Sequence, residues 1–292
     1  MKTVIVTGGA AGIGKETAAA FARRGDRVIV ADIDEPAAEA AAADIKTVGG
    51  EAVPYRLDVR VEAEWHDFAN WVAAEFGHAD ILINNAGVMD LGGFVETDAA
   101  GWQRMVDICL MSVVYGSKVF GRQMIDRDVD GHIVNVSSAA AFLPSELDSA
   151  YGVAKAAVLM ASQSLRVELA PHGIGVSTIC PGAVRTDLIR NGRRNGLTDE
   201  QLAAWNENAG EAQTNLGTSG PDKVARRIVK AVDKNWAVLP VNPEAWFIYY
   251  ALRLSPGAVR AATSRGGFEL MERLLDKGAP IITRIAQRKE KK

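Results

Sequence analysis

At 292 residues, 48% of them hydrophobic and with a net charge of -3, the chain has ample material for a core and no basic excess for gripping nucleic acid. Two cysteines, Cys109 and Cys180, make no disulfide framework, and no apolar stretch approaches the ~20 residues of a membrane span. The first strand starts at Thr3, too early for a leader, so a cytoplasmic protein is expected.

In chain order, Thr3–Val6 reads as a strand, and a glycine turn, Gly8-Gly9-Ala10-Ala11-Gly12-Ile13-Gly14, leads into a helix that Gly25 ends. Arg27–Ala31 is the second strand, ending at Asp32, and an alanine-rich helix runs from Pro36 to Val48. Ala52–Leu57, Asp80–Asn84, His132–Val136 and Gly175–Ile179 read as further strands. Helices are predicted over Val61–Phe76, Ala99–Ile125, Tyr151–Ala170 and Val224–Lys234, with a last strand at Ala237–Pro240. Continuous apolar strands separated by helices predict a parallel sheet covered on both faces, a doubly wound α/β domain over 1–240. Within it, the polar stretch 186–220 reads as a substrate-loop insertion. Residues 241–292 read as a C-terminal helical extension.

Two features carry chemistry. Glycines between a strand and a helix let backbone approach a pyrophosphate at the helix N-terminus, and Asp32 can accept both hydroxyls of an adenosine ribose while repelling a 2′-phosphate. Tyr151 and Lys155 are four apart, so on a helix phenol and ammonium share a face. The cation is expected to lower the phenol's pKa toward the working pH, making Tyr151 a general acid/base. The four histidines have no metal spacing, and none suggests a metal site.

Thr7-Gly8-x-x-x-Gly12-x-Gly14, Asp58-Val59, Asn84-Asn85-Ala86-Gly87, Ser138 with Tyr151-x-x-x-Lys155, and Pro181-Gly182 occur in that order, over roughly 3–240. The chain thereby resembles the short-chain dehydrogenase/reductase family. The resemblance implies a Rossmann-type sheet of about seven parallel strands and a hydride-transfer reaction at a secondary alcohol or ketone. It implies cofactor contacts from Gly8, Gly12, Ile13, Gly14, Asp32, Asp58, Val59, Asn85, Ala86, Gly87, Pro181, Gly182, Val184 and Thr186. Ser138 would hold the substrate oxygen, Tyr151 would move the proton, and Lys155 would serve both phenol and nicotinamide ribose. NAD is expected over NADP. One departure stands out: Cys109 occupies the place of the asparagine that commonly completes the catalytic set, and it reads foremost as a small buried residue.

Loops past the strand ends supply the candidate substrate wall: Met89, Leu91, Phe94, Phe142, Leu143, Leu147, Leu188 and Trp205. They favour a bulky lipophilic substrate, such as a steroid, terpenoid or long-chain alcohol, with ordinary loop packing an equal alternative. A carbonyl reductase using NADPH on an acyl or polyketide intermediate is the second reading, and a non-catalytic NAD-binding homologue the third. The aromatic run 245–253 suits closure of the pocket, a subunit contact or, as a lesser reading, a peripheral membrane contact. The helices 99–125 and 151–170 carry apolar residues, Val113, Val114, Leu159 and Leu165, expected to pair subunits into a dimer or tetramer.

Overall fold

The computed structural model describes residues 1–186, 188, 192–195 and 219–263. Its strands β1 (Thr3–Thr7), β2 (Arg27–Asp32), β3 (Glu51–Arg56), β4 (Ile81–Asn84), β5 (His132–Val136), β6 (Gly175–Cys180) and β7 (Val238–Pro240) form one sheet. The order is β3-β2-β1-β4-β5-β6-β7 and every pairing is parallel. β1 sits where the winding reverses, with β2 on one side and β4 on the other. That reversal opens a crevice beyond the carboxyl ends of the strands.

The strands are apolar along their length because both faces are covered. Along β1, Val4 and Val6 join a core with Phe21, Ala38, Ala41 and Ile228 of α1 (Gly12–Arg23), α2 (Glu35–Thr47) and a later helix, Pro221–Lys234. Ile5, pointing the other way, joins Trp65 and Phe68 of α3 (Glu62–Phe76) and Phe120 beyond. The doubly wound architecture is therefore as expected from sequence.

The long helix predicted over Ala99–Ile125 is a correction. It is divided into α4 (Ala99–Val106), a π turn (Asp107–Met111) and α5 (Ser112–Asp126). In the π turn the Ser112 amide donates five residues back to the Asp107 carbonyl, and the Ser112 hydroxyl takes the Ile108 carbonyl at 2.6 Å. The extra residue in one turn is a local widening of the kind found at functional sites. It falls on the segment that carries Cys109.

A buried polar ladder ties the middle of the sheet to the helix α6 (Ser149–Leu169). Asn84 Nδ2 donates to Ser117 Oγ (3.1 Å) and Asn135 Oδ1 (2.8 Å), and Asn135 Nδ2 donates to Ser162 Oγ (2.9 Å). Such a network fixes one arrangement of β4, β5, α5 and α6, since a broken member would leave a buried polar group unpaired. His132, also buried, pairs its Nε2 with Ser177 Oγ at 2.8 Å, and burial pushes its pKa down to about 4. It is a neutral structural residue.

Val113 is buried within the subunit, and Val114, Leu159 and Leu165 are half-buried. The apolar residues of α6 that do face outward are Val153, Met160 and Val167, seven apart along one stripe. After α7 (Pro221–Lys234) and β7 come α8 (Pro243–Leu254) and α9 (Pro256–Thr263), the described part of the expected extension. No helix among the described residues is long and apolar enough to cross a membrane.

Candidate active site

β1 ends at Thr7, whose hydroxyl oxygen accepts the amides of Asn85 (3.0 Å) and Ala86 (3.1 Å). Asn85 Nδ2 returns bonds to the carbonyls of Thr7 (2.9 Å) and Gly8 (3.2 Å). The glycine turn is thus clamped against the end of β4. Gly8 has φ 59°, and a Cβ there would lie 2.9 Å from Ala86 Cα. At Gly14 a Cβ would overlap the Gly8 carbonyl oxygen. Gly14 does not line the cavity itself; it lets α1 pack directly beneath the turn.

The first turn of α1 has neither a side-chain cap nor an acidic residue. Ala11, Gly12 and Ile13 at this end line a cavity of about 780 Å³. Uncapped amides and a positive dipole end at a cavity wall suit a pyrophosphate. Asp32, at the end of β2, lies on the same wall and accepts the amides of Ala10 (3.1 Å) and Asp34 (3.2 Å). Asp58 and Val59 line it as well. Asp58 is paired two-fold with Arg60, Nε to Oδ1 at 2.9 Å and the outer nitrogen to Oδ2 at 2.6 Å, which holds its carboxyl below the usual carboxylate range. Asn85, Ala86, Gly87, Pro181, Gly182, Val184 and Thr186 complete this half. The residues present fit a dinucleotide.

The other half carries Ser138, Tyr151 and Lys155, all on the cavity wall. Ser138 follows β5 and accepts the Ala140 amide at 3.1 Å. Lys155 is held by a double tie between α6 and the end of β5. Its ammonium donates to the Val136 carbonyl (2.9 Å), while the Ser137 hydroxyl takes the Lys155 carbonyl (2.7 Å). Ser137 thereby ties β5 to α6. The ammonium lies 5.7 Å from the centre of the Tyr151 ring.

The expected lowering of the tyrosine pKa is a correction. Burial raises it, Cys109 adds to the rise, and the Ser138 hydroxyl acts in the opposite sense. Tyr151 is 5% exposed, and desolvation of a phenolate outweighs the charge of a lysine already bonded to a carbonyl. In this state the phenol keeps its proton and is ready to give it. Cys109 is fully buried behind the wall, with its thiol donating to the Val88 carbonyl at 3.2 Å. Gly87 lies between them: a Cβ there would sit 3.5 Å from Lys155 Nζ and 3.9 Å from Cys109 Sγ.

Of the expected substrate residues, Met89 and Leu188 line the cavity. Phe94 is 67% exposed and meets Trp102 edge to face instead. Phe142 is buried under α8 against Tyr249, ring centres 5.2 Å apart, and Leu143, beside it, is also off the wall. Leu91 pairs with Arg194 and Leu147 is part-exposed. Trp205 lies outside the described residues. The wall also contains Arg104, Ile108, Asp148 and Glu244, which the sequence reading missed, and Ile248, from the aromatic run read as able to close the pocket. Glu244 Oε1 accepts the Ala183 amide (3.2 Å) and Asn242 Nδ2 (3.0 Å). Through Glu244 and Ile248, α8 closes one side of the cavity.

Comparison with known proteins agrees with this arrangement. The family model for short chain dehydrogenases matches residues 2–196. A probable oxidoreductase EphD of Mycobacterium tuberculosis is 43% identical over 259 residues, covering 88% of this chain and 44% of that protein; the chain spans less than half the length of that relative. A 2,5-dichloro-2,5-cyclohexadiene-1,4-diol dehydrogenase LinX of Sphingobium indicum is 33% identical over 65% of this chain and 76% of its own. Among solved structures, a short chain dehydrogenase/reductase from Burkholderia phymatum in complex with NAD has a TM-score of 0.78 at 27% identity, covering 87% of this chain and 94% of that one. The family model spans most of the chain, and the chain belongs to the short-chain dehydrogenase family.

Proposed function

We propose that the protein moves a hydride between NAD(H) and a secondary alcohol or ketone whose body is bulky and largely apolar. The observation that carries this reading is a single cavity lined at one end by the glycine turn and Asp32 and at the other by Ser138, Tyr151 and Lys155. The bound nicotinamide would supply or accept the hydride. Ser138 holds the substrate oxygen, and Tyr151 gives its phenolic proton to that oxygen as the carbonyl carbon is reduced; oxidation returns the proton to Tyr151. Lys155 steadies the phenolate left behind and reaches the nicotinamide ribose. Asp58 retains lone-pair directions for the adenine amino group beside its bonds to Arg60, and the Val59 amide reads the ring. Val88, Met89, Ile108, Leu188 and Ile248 supply the apolar wall for the substrate.

Asp32 favours NAD, since a carboxylate facing a 2′-phosphate costs more than ~1.4 kcal/mol. Assays at the NADH absorbance with a panel of lipophilic alcohols are expected to give NAD at least about a tenfold advantage over NADP in kcat/KM, and Asp32→Ala is expected to erode it. Equal use of both cofactors by the unaltered enzyme would sink this assignment. The outward stripe Val153, Met160 and Val167 further favours pairing of α6 across a two-fold axis. Light scattering at micromolar concentration is expected to show a dimer or tetramer, and a monomer there would refute the pairing.

A further inference from the structure

Asp148 stands three residues before Tyr151, at the N-cap of α6, where an aspartate ordinarily accepts an amide of the helix's first turn. It does not do so: no side-chain cap bond is made, and the residue sits at φ -141° and ψ 40°. Its carboxyl lines the cavity instead. It is 7% exposed, and no cation among the described residues pairs with it. Burial holds its pKa above the usual carboxylate range, against the smaller lowering effect of the Ser145 side chain.

The segment that carries it is fixed. The Gly92 amide donates to the Leu147 carbonyl (2.7 Å), the Ser149 amide to the Gly92 carbonyl (3.4 Å), and the Gly152 amide to the Asp148 carbonyl (2.8 Å). Asp148, just before α6, and Tyr151, in its first turn, both line the cavity. Burying a carboxyl without a cation is costly, and giving up a helix cap adds to that cost. Sites that break a local rule in this way are where function is expected.

We propose that Asp148 is a specificity residue that hydrogen-bonds a second oxygen of the substrate, so that the enzyme prefers a diol or hydroxy-ketone over the matching mono-alcohol. This rests on the dehydrogenase reading above. It narrows that reading to an apolar body bearing two oxygens, one at Tyr151 and Ser138, the other at Asp148.

The test uses the full chain with NAD and three probes: cyclohexane-1,2-diol, cyclohexane-1,4-diol and cyclohexanol. At least one diol is expected to exceed cyclohexanol in kcat/KM by about tenfold or more. Asp148→Ala is expected to remove that advantage, lowering diol kcat/KM about tenfold more than cyclohexanol kcat/KM, with NADH affinity near that of the parent. Asp148→Asn, which keeps a donor and an acceptor, is expected to restore most of the preference. Binding of the same probes to the NADH complex, followed by nicotinamide fluorescence, separates the two claims. Diol binding that depends on Asp148 without turnover would support the subsite and overturn hydride transfer. Turnover or binding with no diol preference, or with equal loss on all probes in Asp148→Ala, would overturn the subsite alone. Neither binding nor turnover of any probe would overturn both.

Discussion

Tyr151→Phe is expected to lower kcat by about 10³-fold while leaving NADH affinity within about threefold of the parent. The substitution removes one hydroxyl and nothing of the ring, and the ring is what packs with Met105, Cys109 and Ala154 beneath the cavity. Among the described residues on the cavity wall, Tyr151 is the one phenol. The Ser138 hydroxyl is a far weaker acid than a phenol, and the Lys155 ammonium is tied to the Val136 carbonyl. Because burial keeps the phenol protonated, the loss should show fully in the reductive direction at neutral pH. Turnover above about a tenth of the parent's would refute the acid/base role.

Gly14→Ala is the second large effect. The added methyl would overlap the Gly8 carbonyl oxygen and crowd Asn85 Nδ2 at 2.7 Å, and neither is the free end of a flexible side chain. Asn85 is bonded to two carbonyls of the turn, so it cannot move without breaking the clamp. A destabilisation of about 3 kcal/mol or more is expected from urea unfolding, with loss of measurable NADH binding. The contrast is Gly25→Ala, where φ is 86° but no atom lies within 4 Å; there only the backbone term remains, about 1 kcal/mol, with cofactor binding kept. Similar unfolding midpoints for the two variants would mean that α1 is not packed as described.

Most of the sheet and the cofactor half was legible because the signals are local. A continuous apolar strand, a glycine turn at a strand end and an acid at the next strand end are each set within a few residues. The π turn was not legible: one extra residue in a turn leaves the apolar spacing on both sides helical. The phenol's pKa was misread because the sequence shows a nearby lysine but not the burial that outweighs it. Phe94 and Phe142 were assigned to the cavity from loop position alone, and loop position does not fix where a side chain points. Asp148 was passed over because a helix-capping aspartate and a cavity aspartate look alike in sequence. Cys109, by contrast, is the small buried side chain it was read to be.

The wall that α8 contributes has a consequence for how the protein matures. Gly8 and Gly12, at the start of the chain, share one cavity with Glu244 and Ile248, near the end of the described residues. Closing so long a loop is among the slower events in assembling a domain. A nascent chain emerging from the ribosome can form the βα units around the glycine turn well before α8 exists. Such a chain has the parts that suit a dinucleotide but lacks one side of its chamber. The chamber is therefore completed late, when α8 docks and closes its last side.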